Sequence, residues 1–401
     1  MGSRVVRLPG GKSPRYALTR TAFGADDKLP LYMVDPYGNN VIVATIRPLA
    51  HGGYFVEAHT GMPRILLGAE GNGLYDDLPY FLDDLRPQGF LGRQIAMEMA
   101  RISPDFPSDP RRWNAEHVGR YLISNGDDLP GNFKFGPTAH LRIRQRTEAV
   151  HCEDYPILAD KVLRGVIPGS SAGGERPKFT AYNEERGHVI VKFSSLEAGP
   201  VAERWRDILI TEFHASEAIH SQGFPAAETR LFEQEGRLFL ESQRFDRSGE
   251  YGRLPMLSLQ AIDAEFTGLG SSWPSVATAL SRKGLLNPQH AFDVIFLWAF
   301  GRLINNTDMH LGNISLSIEG DVFRLLPIYD MCSMGFAPKG DEIAPFHFVP
   351  PDFGREQPVL SEEHFAAVRK MAHDFWESVA ADERISDGFR NFLRRGNPVA
   401  S

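Results

Sequence analysis

The stretch NNTDMHLGN, residues 305–313, decides how this chain is read. Asp308 and Asn313 stand five apart, with His310 between them and Gly312 just before the Asn. A carboxylate that takes a proton and an amide oxygen that holds a hard cation would use this spacing. Alone it is a weak signal, since ordinary composition gives roughly one D-x-x-x-x-N match in a chain of this size. The surroundings strengthen it. Upstream, NPQHAFDVIFLWAFGRLI has Asn287 as a helix cap and Pro288 at the first helical position. It is apolar nearly all round, which predicts a buried helix. Downstream, NISLSI and VFRLLPIYD predict a β-hairpin whose second arm ends on Asp330. That order brings Asp308, Asn313 and Asp330 within reach of one ion. His310 is expected to organise the loop as a hydrogen-bond donor.

Further upstream, HVIVKFS predicts a strand with Val189 and Val191 on one face and Ile190 and Lys192 on the other. Lys192 reads either as an edge-strand lysine reaching solvent or as a phosphate contact. Glu212, on the predicted helix WRDILITEFHASEAIHSQG closed by Gly223, reads as an exposed glutamate or as the partner of Lys192. IPGSSAGGERPKF, 167–179, is a Gly/Ser turn whose backbone N–H groups suit phosphate oxygens. Gly169 and Gly174 have the Walker A gap, but Glu175 stands where that motif needs Lys, which argues against a P-loop. VLRGVI is expected as a strand leading into this turn. LYDDLPYFLDDL and GRQIAMEMARI are expected as helices, and LRIRQR, 141–146, as a half-exposed strand.

The totals set the class. With 401 residues, 42% hydrophobic and 23% charged, the chain can bury a large core. A net charge of -8 argues against a nonspecific nucleic-acid binder. Residues 1–20 are the exception, with Arg4, Arg7, Lys12, Arg15 and Arg20 and no acid. VVRLPGGKSPRYAL, 5–18, predicts a β-hairpin, read either plainly or as the wing of a winged-helix DNA-binding unit whose helices would precede it. Two cysteines exclude a disulfide framework or a Cys-rich zinc site. With no signal-like or membrane-spanning stretch, the expected home is the cytoplasm.

GSSAGGERPKF, VIVKFS, the glutamate helix, SQRFDR, NNTDMHLGNISL and LPIYDM, in this order, resemble the HipA-type kinases of bacterial toxin–antitoxin systems, closest to the stand-alone YjjJ/HipH-type branch. The likeness runs over residues 30–380. It implies an α+β, two-lobed protein-kinase-like fold with a mixed N-terminal lobe and a mainly helical C-terminal one. The expected division is 1–28 basic hairpin, 29–150 N-terminal subdomain, 151–250 nucleotide-covering part and 251–401 catalytic lobe.

The resemblance also implies ATP- and Mg²⁺-dependent Ser/Thr phosphorylation of a protein, one in translation by family likeness, with an antitoxin as a candidate partner. Carried over, Asp308 is catalytic, with Lys192 and Glu212. Asn313 and Asp330 hold Mg²⁺. Gly169, Ser170, Ser171, Ala172, Gly173, Lys178, Lys192 and His310 attend the nucleotide, with Gln243 and Phe245 on its adenine side. Ser170 is the autophosphorylation candidate. The loop GGERPK is one residue longer than the commoner pattern, and Gln243 replaces a frequent glutamate. Two other readings stand beside this one: a small-molecule kinase of the same fold, and a DNA-associated protein or metal-dependent nuclease that contacts DNA through the basic hairpin.

Overall fold

The chain is described here by a computed structural model covering residues 4–10, 13–126, 128–142, 148–165, 176–340, 342–349, 351, 353 and 360–399. Lys12, most of LRIRQR and the loop residues Gly169, Ser170, Ser171, Ala172 and Gly173 lie outside that set. The N-terminal hairpin forms, with β1 (Val5–Leu8) antiparallel to β2 (Arg15–Leu18). Its basic residues are partly committed. Arg15 donates to Pro9 O, and Arg20 donates to the Leu49 and Thr21 carbonyls.

The next body has β3 (Leu29–Val34), β4 (Asn40–Pro48), β5 (Tyr54–Ala58), β6 (Leu74–Tyr75), α1 (Tyr80–Asp83), α2 (Gly89–Ile102), α3 (Ala115–Asn125) and β7 (Phe133–Phe135). Its strands make a five-stranded sheet in the order β6-β5-β4-β3-β7. LYDDLPYFLDDL is helical only over α1, because Leu74 and Tyr75 pair with β5 and Pro79 precedes the first helical residue. Leu141 and Arg142 end a 3-10 turn rather than opening a strand.

The third body has β8 (Ala149–Val150), α4 (Tyr155–Leu163), β9 (Lys178–Asn183), β10 (Gly187–Phe193), α5 (Pro200–Ser221), β11 (Thr229–Gln234) and β12 (Arg237–Gln243). Its sheet order is β11-β12-β10-β9-β8. VLRGVI corrects the expected strand: Val162 and Leu163 finish α4. Tyr155, Ala159 and Val162 bury at helical spacing against Phe179, Val189, Val191 and Phe193. This apolar cluster fixes the face of β10 and turns Ile190 and Lys192 the other way.

The remaining elements are β13 (Arg247–Ser248), β14 (Gly252–Arg253), β15 (Leu257–Ser258), α6 (Leu259–Phe266), α7 (Trp273–Arg282), α8 (Pro288–Leu303), β16 (Ser315–Glu319), β17 (Val322–Leu325), α9 (Glu362–Ala381) and α10 (Asp387–Leu393). α8 starts where the Asn287 side chain accepts from Gln289 N–H at 2.8 Å. Val294, Leu297, Ala299 and Phe300 are buried around its circumference, as a nearly unbroken apolar run requires. Each large apolar side chain so buried contributes about 1.5–3 kcal/mol. Among the described residues no helix is long and apolar enough to cross a membrane.

Asp207 ties α5 to α10, accepting from Ser386 N–H at 2.8 Å and from the Ser386 hydroxyl at 2.7 Å. Burial pushes its carboxyl up to about 6. A raised folded-state pKa means the cost of ionising this group is absent below about pH 4 and grows as pH rises through about 6. Asp207→Asn keeps an oxygen for Ser386 N–H and offers its amide N–H to the hydroxyl. The variant is expected to gain about 1–3 kcal/mol relative to the parent between pH 4.5 and pH 8 in urea melts. A difference that stays flat or shrinks with pH contradicts this.

Candidate phosphoryl-transfer site

α8 delivers the chain into the 305–313 loop. Asn305 takes a left-handed backbone (φ 61°) that turns it, and Asn306 Oδ1 accepts from Asp308 N–H at 3.0 Å. Gly301 lets the Met309 side chain pack close, since a Cβ there would stand 2.5 Å from the Met309 sulfur and push that side chain aside. Asn313 Nδ2 donates to Asp308 O at 2.8 Å and to Asp308 Oδ2 at 3.3 Å. Its amide nitrogen is thereby committed, and Oδ1 is the atom left for a cation. His310 organises the loop in the opposite sense to that expected. Its Nδ1 accepts from Gly312 N–H at 3.0 Å, its carbonyl accepts from Trp273 Nε1–H at 2.9 Å, and Nε2 stands 3.7 Å from Asp308 Oδ1.

The hairpin of β16 and β17 returns the chain to Tyr329 and Asp330. Tyr329 donates to Gly312 O at 3.2 Å and exchanges a 2.7 Å hydrogen bond with Ser315, which fixes the hairpin to the loop. Asp330 sits at φ 54°, an uncommon conformation for a residue with a side chain. Its carboxylate contacts Lys192 Nζ, which also bonds both Glu212 oxygens at 2.6 and 2.8 Å. Burial alone would raise Asp330; the Lys192 ammonium, aided by Lys178, holds it below the usual carboxylate range. Burial likewise opposes the charge on Lys192, and the two carboxylates outweigh it and push it up. Glu212 is raised by burial.

Asp330 lines two neighbouring cavities. One also holds Lys178, Lys192, Gln243, Phe245 and Asn313; the other holds Arg176, Lys178, Lys192 and Asp308. Asn313 thus lines the first and Asp308 the second, while Lys178, Lys192, Glu212 and Asp330 line both. Gln243 reaches the first sidelong, because its backbone N–H goes to Glu228 O and its side-chain amide to Arg186 O. Among the described residues no group of three or more His, Cys, Asp and Glu side chains is gathered to hold a metal alone. A Mg²⁺ site completed by phosphate oxygens needs only one or two protein oxygens, and Asp330 with Asn313 Oδ1 fits that donor set.

Four residues contribute beyond the expected set: Arg176, Asp84, Asp128 and Asp246. Arg176 lies over Trp205, its guanidinium carbon 3.4 Å from the ring centroid, with no carboxylate partner among the described residues, and burial lowers it to about 10. Asp84, which caps the end of α1, reaches the cavity and accepts from Ser258 N–H at 2.7 Å and from its hydroxyl at 2.5 Å. Asp128 and Asp246 clamp the segment after β12: Arg244 and Arg247 each stand 2.7 Å from Asp128 Oδ1, and Gly131 N–H donates to Asp246 at 2.9 Å. The Asp246–Arg247 pair was visible in SQRFDR, but nothing local pointed to Asp128.

Residues 25–144 match the family model of the YjjJ-like toxin middle domain, and residues 170–387 that of the HipA-like C-terminal domain. The chain is 35% identical to Toxin YjjJ of Escherichia coli (strain K12), over 98% of this chain and 88% of that protein. It is similar in fold to a chain of the Shewanella oneidensis MR-1 toxin–antitoxin complex of HipA, HipB and operator DNA, with a TM-score of 0.59, 16% identity and coverage of 90% of this chain and 91% of that one.

Proposed function

Because this chain belongs to the HipA-like toxin family, in its YjjJ-like branch, we propose that it is an ATP- and Mg²⁺-dependent Ser/Thr protein kinase. The observation that carries the reading is the placement of Asp330 and the Lys192–Glu212 pair between a cavity lined by Asn313 and one lined by Asp308, with the Asn313 amide hydrogen-bonded to Asp308. Bound between the lobes, Mg²⁺-ATP supplies the transferable phosphoryl group and a Lewis acid at its oxygens, with Asn313 Oδ1 and Asp330 as the protein ligands.

Asp308 accepts the proton of the acceptor hydroxyl as its oxygen bonds to the γ-phosphorus and the bond from that phosphorus to the β-phosphate oxygen breaks, so that ADP leaves. Lys192, held in place by Glu212, neutralises phosphate charge. Lys178 and Arg176 add cations on the same side. A partly desolvated guanidinium with no carboxylate partner among the described residues, as at Arg176, is costly until an anion meets it. The adenine side is formed by Gln243 and Phe245; the Phe245 ring lies 5.7 Å from that of Tyr329. Most of the acceleration comes from positioning and fixed charge.

Arg176→Gln is expected to lower kcat about tenfold to a hundredfold, as loss of one charge-assisted contact does. Single-turnover transfer measures it; an unchanged kcat removes Arg176 from the scheme. The reading as a whole is tested by incubating purified protein and lysate with labelled ATP and Mg²⁺, then identifying phosphorylated residues by mass spectrometry. Phosphoserine or phosphothreonine on a lysate protein, or on Ser170, supports it. No label anywhere, together with no nucleotide binding, overturns it.

A further inference from the structure

Asp308 is a wall between two spaces. On its inner side lie Lys192, Asp330 and Arg176. On its outer side is a separate cavity of about 500 Å³, lined by Trp298, Arg302, His310, Phe348 and Val349 among others. If the phosphates occupy the inner space, the acceptor hydroxyl must approach Asp308 from the outer one. The outer cavity has one carboxylate among its described lining residues, Asp308 itself, and one guanidinium, Arg302.

Arg302 closes the last turn of α8 and rests on Trp298, 5.3 Å from the ring centroid. No carboxylate pairs with it among the described residues. A cation–π contact with a buried indole helps hold the guanidinium in place and does not consume its N–H donors, which stay available to a partner. Val349, 67% exposed on the same wall, adds apolar surface for a bound chain.

We propose that this outer cavity is the acceptor site, and that Arg302 selects Ser/Thr protein segments carrying an acidic side chain near the phosphorylated hydroxyl. The inference rests on the kinase reading and deepens it. The plain alternative is that Arg302 only complements the carboxyl end of α8. In that role its loss would reduce stability without changing which acceptors are used.

A peptide array separates the two. Each peptide has a central Ser, with Asp/Glu or Lys/Arg at each flanking position in turn, and is assayed with labelled Mg²⁺-ATP. The parent is expected to favour acidic over basic peptides by about tenfold or more in kcat/KM, the worth of one hydrogen bond to a charged group. Arg302→Glu is expected to invert that preference, an outcome that misfolding cannot mimic. If that variant does not fold, Arg302→Gln should still flatten the preference. Equal use of all peptides by the parent, no peptide labelling by a protein that labels lysate, or an acidic preference that survives in Arg302→Glu each overturn the proposal. A protein that binds no nucleotide and labels nothing fails the kinase reading itself.

Discussion

Replacing Asp308 with Asn is expected to reduce phosphoryl transfer by about 10²–10⁴-fold, the usual contribution of a positioned general base. Asn matches Asp in shape but cannot take the hydroxyl proton. The fold should hardly notice. The Asp308 side chain is about half exposed (48%), and the loop is held by its backbone: Asp308 N–H to Asn306 Oδ1 and Asp308 O to the Asn313 amide. Both bonds survive the change. Transfer rates from labelled ATP, read beside a urea melt, check this; the melt should move by no more than about 0.5 kcal/mol. A variant that retains more than a tenth of the parent's rate would remove Asp308 from the role of base.

Lys192→Met is expected to cost about 3–5 kcal/mol of stability, as removing one partner from buried ionic groups does. The Lys192 side chain is 13% exposed, Glu212 9% and Asp330 24%. Met fills most of the lysine's length but leaves two carboxylates facing each other without their shared cation. The same change removes a charge from the phosphate side, so nucleotide affinity and transfer should both fall. Equilibrium denaturation in urea measures the first effect and ATP titration the second. A stability loss under about 1 kcal/mol would show that the trio is not coupled as its geometry indicates.

The parts of the site that were legible in the sequence were written in local patterns. An apolar run behind an Asn-Pro start could only be a buried helix, and it placed the 305–313 loop at that helix's end. Alternation in HVIVKFS set Lys192 opposite Val189 and Val191. The Lys192–Glu212 contact was offered as one of two readings and is formed.

What failed was short or nonlocal. VLRGVI is too brief for periodicity to separate a strand from the end of a helix, and the helical partners Tyr155 and Ala159 lay outside the window considered. Pro79 limits the predicted 74–85 helix to a single turn. His310 was assigned a donor's role, yet the turn of the loop presents Gly312 N–H to its ring. Asp128 meets Arg244 and Arg247 across more than a hundred residues, a pairing that no spacing rule reveals. Arg176 carries no local signal of its role: the Gly/Ser run beside it points to backbone groups, and its platform Trp205 comes from a different element, α5.

The central claim is that Asn313 and Asp330 hold the cation of a bound nucleotide whose terminal phosphate faces Asp308. It is tested most directly by a crystal structure with a non-hydrolysable ATP analogue and Mg²⁺. The expected result is a metal at about 2.0–2.1 Å from Asn313 Oδ1 and an Asp330 oxygen, with the γ-phosphate between Asp308 and Lys192. A nucleotide bound elsewhere, or a metal that touches neither residue, would contradict it.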